Sequence, residues 1–249
     1  MQRNIKLTIE YDGTDFNGWQ VQAKGRRTVA GTIEKALKKI FRKNIRLIGS
    51  GRTDSGVHAL GQVANFRTDS PMPVERIQKA LNANLPEDIA VWKVEEVDAD
   101  FHSQYSVRSK TYRYTILNRD ARSPLQRQFC LAHPYPLNLR RMKEEAKALV
   151  GRKDFRAFQA SNPSRDEKAS TVRTVRRVDI RKKGDFLYIE IEADGFLYKM
   201  VRNIVGTLLD VSQGRLPKGS IKSILTQKDR NLAGDTAKPQ GLTLLEVEY

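Results

Sequence analysis

The sequence predicts an α+β fold of two lobes, in which largely antiparallel sheets carry helices on one face. Short segments of alternating apolar and polar residues recur in both halves of the 249-residue chain. Segments with helical spacing stand between them, and the strands fall in short runs rather than in strict alternation with helices. A chain of this length holds one large apolar core or two modest ones. We therefore predict an N-terminal lobe of residues 1–100 and a C-terminal lobe of residues 101–249.

The N-terminal lobe begins with a strand, because Ile5, Leu7 and Ile9 alternate with polar residues. A polar loop over 12–29 precedes a helix over 33–46, whose apolar residues recur at helical spacing on one side. A Ser-Pro-Met-Pro segment at 70–73 breaks the chain before a second helix. The other elements predicted in this lobe are a strand near 45–50, a glycine-rich loop, a strand near 62–67, a helix containing 77–85 and a strand over 89–94.

The C-terminal lobe repeats this mixture of strands and helices. Tyr112, Tyr114 and Ile116 alternate in a strand, and Gly151 ends a helix that contains Met142. The most apolar helix of the chain contains residues 200–208. Further strands are predicted over 172–180, 187–193 and 241–249, with a polar loop over 161–170.

The charge of the chain predicts a polyanionic partner, most often nucleic acid. Lysine and arginine number 45 against 29 aspartate and glutamate residues, which gives a net charge of +16. Basic residues concentrate on the polar side of the first helix, between Lys35 and Lys43, and on a strand between Arg173 and Lys183. Either stretch is suited to phosphate contacts, but surface helices have a solvated polar face in any case, and edge strands often carry lysine to prevent aggregation. Both interpretations remain open for each stretch.

Composition excludes several classes of protein. A single cysteine, Cys130, excludes an internal disulfide framework and points to a reducing compartment. Three histidines and one cysteine do not make an ordinary structural zinc site without carboxylates, and we interpret the metal-like spacing of Cys130 and His133 as incidental. No apolar run approaches the roughly 20 residues of a membrane span, and the N-terminus has no apolar block typical of a signal peptide. We therefore expect a cytoplasmic protein with no membrane contact.

The segment 49–59, which reads GSGRTDSGVHA, is the strongest candidate for chemistry. Its glycines permit a sharp bend and the close approach of a bulky ligand. Arg52 and Asp54 are two residues apart, so an extended loop directs both side chains to the same side. The guanidinium favours the ionised carboxylate, which suits a nucleophile better than a general acid. The alternative is a turn in which Asp54 and Ser55 bond to local backbone amides.

Three further side chains have competing interpretations. Tyr112 is by default an aromatic of the core or its rim, and its ring is suited to stacking on a nucleobase. Arg202 stands in the apolar helix, where by default it stays solvated on the exposed side; if buried, it needs a carboxylate partner. Trp19 is a hydrophobic anchor or a binding aromatic, and we favour the anchor.

Five motifs, in order from one end of the chain to the other, give it a strong resemblance to the tRNA pseudouridine synthase A family. They are YDGTDFNGWQ (11–20), GRTDSGVHA (51–59), KTYRY (110–114), FLYKMVRN (196–203) and GLTL (241–244). The resemblance implies conversion of uridine to pseudouridine in the anticodon stem-loop of tRNA, at roughly positions 38–40. It also implies a two-lobed fold with a central sheet and a basic cleft, and a homodimer in which one tRNA touches both subunits.

The resemblance assigns roles to four residues. Asp54 is the nucleophile, and Arg52 supports the flipped-out nucleotide. Tyr112 stacks on the uracil ring, and Arg202 pairs with Asp54. Because nothing is oxidised and no group comes from outside, the reaction requires no cofactor and no metal. Two alternatives remain open: attack of Asp54 at C6 of the base or at C1′ of the ribose, and a non-catalytic RNA-binding module of the same fold.

Overall fold

The computed structural model describes residues 2–22, 25–161 and 170–249. These form two compact units, Met1–Arg108 with Thr243–Tyr249, and Ser109–Leu242. Helices are combined with mostly antiparallel strands in both units, which confirms the predicted α+β class. In chain order the elements are β1 (Arg3–Tyr11), α1 (Val29–Phe41), β2 (Ile48–Gly49), β3 (His58–Thr68), α2 (Val74–Asn82), β4 (Ile89–Val97), β5 (Ser109–Leu117), β6 (Leu131–Ala132), α3 (Leu139–Ala146), β7 (Gly151–Asp154), β8 (Val172–Lys183), β9 (Phe186–Ala193), α4 (Met200–Ser212), α5 (Ser220–Gln227) and β10 (Leu242–Glu248).

The first unit contains a sheet with the strand order β4-β1-β3-β10, and β2 pairs with β3. β1 is antiparallel to both of its neighbours, whereas β10 is parallel to β3. The alternation of β1 decides which face is covered: Ile5, Leu7 and Ile9 are completely buried, while Lys6 and Thr8 between them are partly exposed. The helices complete this core with Ile33 and Leu37 of α1 and Ile77 and Leu81 of α2.

The second unit contains a sheet with the order β5-β9-β8-β7, in which neighbouring strands are antiparallel. The short strand β6 pairs parallel with β5. Every residue of α4 except Asp210 is buried, in agreement with its prediction as the most apolar helix. This helix packs against β5 and α3, so a polar side chain on it is removed from water.

Helix α1 differs from its prediction at both ends. It begins after Thr28, whose hydroxyl accepts a hydrogen bond from the Gly31 N–H at 3.3 Å. It ends at Phe41, because Arg42 adopts a left-handed conformation (φ 57°) and its N–H donates to the Lys38 carbonyl at 2.9 Å. The predicted continuation to residue 46 is therefore wrong. Apolar spacing indicates the face of a helix, whereas the capping residues set its ends.

The units are not two consecutive halves of the chain. The first unit continues to residue 108, beyond the predicted boundary at 100/101. It also includes Thr243–Tyr249 at the C-terminus. There Thr243 and Leu244 pair with His58 and Ala59. Backbone pairing between remote strands leaves no mark in local composition, which explains the difference. The short elements β6, β7 and α5 were not predicted, and of the polar loop predicted over 161–170, residues 162–169 lie outside the described ranges.

Candidate active site

Asp54 lies in the loop that joins β2 to β3. Burial alternates along this loop, because Arg52 is exposed, Thr53 is buried and Asp54 is partly exposed. That the guanidinium and the carboxylate leave the loop on the same side stays a prediction. The hydroxyl of Ser55 donates to the carbonyl of Phe16 at 3.0 Å, so it bonds across to a remote segment instead of to a local amide.

Residues of the first motif hold this loop from its inner side. The hydroxyl of Tyr11 lies 2.8 Å from the hydroxyl of Thr53, and the Trp19 N–H donates to the Thr53 carbonyl at 3.1 Å. Burial raises the pKa of Tyr11, so this phenol keeps its proton. Trp19 is itself buried beside Tyr11, with 6.2 Å between the ring centroids, which confirms its interpretation as a hydrophobic anchor.

Two glycines of the first motif permit the close approach of the two segments. Gly18 has a φ of +84°, and a Cβ atom there would lie 2.7 Å from the Thr53 carbonyl oxygen. Gly13 lies against the Val57 carbonyl with no space for a side chain, and its N–H donates to Nδ1 of the buried His58 at 3.0 Å. The backbone on both sides of Asp54 is therefore fixed by main-chain contacts that only glycine allows.

Tyr112 and Arg202 belong to the second unit. Tyr112, on β5, is 8% exposed, and its ring meets Phe196 edge-on with 5.0 Å between centroids. Arg202, on α4, is 9% exposed, and its Nε donates to the Ala237 carbonyl at 2.7 Å. The default expectation that Arg202 stays solvated on the exposed side of its helix is wrong. Its assignment as the partner of Asp54 stays a prediction.

Lys110 is a candidate that the sequence analysis did not single out. It lies two residues before Tyr112 on β5, so the two side chains share one face of the sheet. Burial, together with the nearby charge of Arg173, lowers the pKa of Lys110 to about 8. Shifts of this kind cluster at functional sites. The sequence does contain a signal for Lys110, because this residue stands two positions before Tyr112 in the KTYRY motif and a strand directs both side chains to one face.

Three arginines of the basic stretch on β8, Arg176, Arg177 and Arg181, lie within ion-pair distance of carboxylates of the protein. The side chain of Glu190 on β9 is 7% exposed. Its carboxylate forms ion pairs with the guanidinium groups of Arg113, at 2.7 Å, and Arg181, at 2.8 Å. Arg177 lies 3.6 Å from Glu192, and Arg181 also contacts Asp179 at 2.8 Å. These arginines therefore hold neighbouring strands together, and the expectation of phosphate contacts loses support for them.

Cys130 and His133 bond to other groups. The thiol of Cys130 donates to the Gln126 carbonyl at 3.1 Å, and Nε2 of His133 lies 2.8 Å from the Gln213 amide nitrogen. No group of three or more metal-ligating side chains occurs within residues 2–22, 25–161 and 170–249. In the same described part of the chain, no helix is long and apolar enough to span a membrane.

Fold and site together define a class: a two-unit α+β protein with a net charge of +16 that presents a carboxylate and a guanidinium on one rigidly held loop. These are features of an enzyme that acts on a polyanionic substrate. The chain belongs to the tRNA pseudouridine synthase family, whose sequence profile matches residues 7–106 and 146–249. The matched ranges contain Arg52, Asp54 and Arg202, and Tyr112 lies between them.

Curated relatives match along at least 95% of their length. A protein of Thermoanaerobacter sp. (strain X514) named tRNA pseudouridine synthase A is 49% identical over 247 residues, which cover 99% of this chain and 100% of that protein. A tRNA pseudouridine synthase A 2 of Clostridium perfringens is 46% identical with the same coverage. A tRNA pseudouridine synthase A of Geobacillus kaustophilus is 43% identical over 250 residues, which cover 100% of this chain and 95% of the relative.

Proposed function

We propose that this protein isomerises uridine to pseudouridine in tRNA. The observation that carries the proposal is its similarity over almost the full chain to relatives named tRNA pseudouridine synthase A. The fixed Asp54 loop supports it, because the reaction needs a positioned nucleophile, whereas phosphate binding gains nothing from a carboxylate. The target uridines lie in the anticodon stem-loop, at roughly positions 38–40, in line with the family resemblance.

The reaction exchanges one bond of the ribose for another. The bond between N1 of uracil and C1′ of the ribose breaks, the base turns, and a bond forms between C5 and C1′. The hydrogen on C5 is lost as a proton and N1 gains one, so the overall change is an isomerisation and no redox partner is needed. Asp54 serves as the nucleophile, either on C6 of the base or on C1′ of the sugar.

Access to the base requires its extrusion from the stem, which costs a few kcal/mol. We assign to Arg52 the support of the extruded nucleotide, since its exposed guanidinium stands two residues from Asp54 on the fixed loop. Tyr112 is assigned to stacking on the uracil ring. Arg202 is assigned as the charge partner of Asp54, in line with a guanidinium buried on an apolar helix.

The partner and compartment complete the proposal. We infer that the protein acts as a homodimer in the cytoplasm. The homodimer rests on the family resemblance, and the compartment on the single buried cysteine, which suits a reducing environment. Analytical ultracentrifugation with and without tRNA tests the oligomeric state, and a sedimentation coefficient of a monomer under both conditions contradicts the dimer.

The activity is tested by incubating unmodified tRNA transcripts with the protein and mapping pseudouridine by chemical labelling. We expect label at one or more of positions 38–40 and none in transcripts whose uridines there are replaced by cytidine. The Asp54→Asn protein serves as the matched inactive control. Absence of label with the native protein, under conditions in which it binds the transcript, contradicts the enzymatic function.

A further inference from the structure

Five exposed cations follow one another along α1 and the segment after it; we call them the α1 cation row. Within residues 2–22, 25–161 and 170–249, none of them lies within ion-pair distance of a carboxylate. They are Lys35, Lys38, Lys39, Arg42 and Arg46.

Acidic residues around this row are engaged elsewhere. Glu34, the one carboxylate of α1, accepts a hydrogen bond from the Leu47 N–H at 2.9 Å. Asp69 pairs with Lys43 at 2.6 Å, and Asp88 pairs with Arg27 at 2.8 Å. Within the described residues, these contacts leave the five cations of the row without an ion-pair partner.

The spacing of the row gives it a fixed geometry. Lys35, Lys38 and Lys39 follow the i, i+3, i+4 pattern within α1, so they share one face and span about 6 Å of helix axis, and Arg42 follows as the left-handed residue that ends the helix. The opposite face is anchored in the core by Ile33, Ala36 and Leu37. The helical backbone holds the attachment points of the three lysines in line, whereas the same side chains on a loose segment would lose more conformational entropy on binding.

The arginines of β8 offer the opposite case. Arg177 and Arg181 also belong to a basic stretch of the sequence. Their guanidinium groups, however, form ion pairs with Glu190, Glu192 and Asp179. Binding a phosphate there would require breaking an existing ion pair, so little electrostatic gain would remain. The two basic stretches of the sequence are thus physically different.

We propose that the α1 cation row binds the phosphodiester backbone of tRNA, and that the arginines of β8 do not. This inference rests on the proposed function, because it takes tRNA as the polyanion. The contact is independent of base sequence, since ammonium and guanidinium groups at the row read charge and not base edges. Its energetic signature is the release of counterions from the RNA.

The test compares two double variants that each remove two positive charges. Lys35→Gln/Lys39→Gln alters the row, and Arg177→Gln/Arg181→Gln alters the ion-paired strand and serves as the matched control. The dissociation constant for a tRNA transcript is measured across salt concentrations, with thermal unfolding as a check on folding. For the row variant we expect a salt slope shallower by about 1.4–1.8, and affinity at about 0.1 M salt weaker by at least about tenfold.

The control variant is expected to keep the slope of the native protein. Turnover by the row variant at saturating tRNA should equal that of the native protein, because neither lysine belongs to the proposed catalytic set. An unchanged slope in the row variant, or an equal loss in both variants, overturns this inference while the function stands. A native protein that neither binds nor modifies tRNA overturns the proposed function, and this inference with it.

Discussion

The hydroxyl groups of Tyr11 and of Thr53, the residue before Asp54, lie 2.8 Å apart in the core of the first unit. Both side chains are buried, Tyr11 to 3% exposure and Thr53 to 7%. A buried hydroxyl needs a hydrogen-bond partner, and this bond supplies one to each residue. The pair ties the loop that carries Asp54 to the end of β1, so the position of the carboxylate depends on a residue 43 positions away in sequence.

Replacing Tyr11 by Phe removes one member of this pair. The buried Thr53 hydroxyl then loses this partner, which should lower the free energy of unfolding by about 1–3 kcal/mol. We expect kcat to fall, because the loop that carries Asp54 is held less firmly. The dissociation constant for tRNA should stay unchanged, because no surface residue is altered. Tyr135→Phe, on an exposed tyrosine, is the control. A native kcat in a protein with lowered unfolding free energy would show that the pair serves stability alone.

The Asp54→Asn protein should be inactive and should bind tRNA as tightly as the native protein or slightly more tightly. The amide is not nucleophilic, and the loss of a negative charge does not weaken a phosphate-rich interface. Single-turnover assays and binding titrations check both statements. Asp15→Asn, an exposed aspartate in the first motif, makes the same charge change and should keep its activity. Pseudouridine formation by the Asp54→Asn protein, with mass spectrometry excluding deamidation, would remove Asp54 from its role.

Two variants separate stacking from proton transfer at Tyr112. Tyr112→Phe keeps the ring that meets Phe196, whereas Tyr112→Ala removes it. If the ring only stacks on uracil, the Phe variant should retain most activity, and the Ala variant should lose about 1–3 kcal/mol of transition-state stabilisation. Measurement of kcat/KM for both variants distinguishes stacking from proton transfer. Equal and complete loss would instead make the hydroxyl a candidate acid or base.

If Arg202 is the charge partner of Asp54, as proposed, Arg202→Met should fold and bind tRNA but lose activity by about 3–5 kcal/mol in kcat, the size of the loss when one partner of a buried charge pair is removed. Arg202→Lys should recover only part of the loss, because an ammonium lacks the guanidinium fork. Circular dichroism, tRNA binding and single-turnover rates separate folding, affinity and chemistry. Near-native turnover of the Met variant would contradict the role of Arg202 as the charge partner of Asp54.

The pKa of Lys110 predicts a pH dependence of stability. In the folded protein this pKa is lowered from the ordinary 10.5 to about 8, so between these values the unfolded chain binds more protons. The contribution of Lys110 to the free energy of unfolding therefore rises with pH across this window. Urea unfolding of the native protein and of Lys110→Met from pH 7 to 10 should show the variant losing its relative advantage as pH rises. Lys79→Met, on an exposed lysine, should follow the native protein, and parallel curves for Lys110→Met would contradict the shifted pKa.

Local pattern was sufficient for much of the fold. The sequence predicted the strand of Ile5, Leu7 and Ile9, the apolar helix α4 and the α+β class. These predictions were possible because the spacing of apolar residues along the chain indicates the type of element and its buried face. The Arg52–Asp54 loop was identified for a similar reason, since glycine spacing and a charge pair two residues apart are local features.

Tertiary structure alone decided how these pieces are held and which charges remain available. The bonds from Tyr11 and Phe16 to the Asp54 loop join residues about forty positions apart, and the burial of Arg202 follows from packing on every side of α4. Likewise, the α1 cation row and β8 are both basic in sequence, yet Arg177 and Arg181 of β8 lie within ion-pair distance of carboxylates on the neighbouring strand, and the row, within the described residues, does not. The periodicity of a sequence indicates which face of one element is buried. The contacts described here form between different elements, so their partners are determined only by the packing of the whole chain.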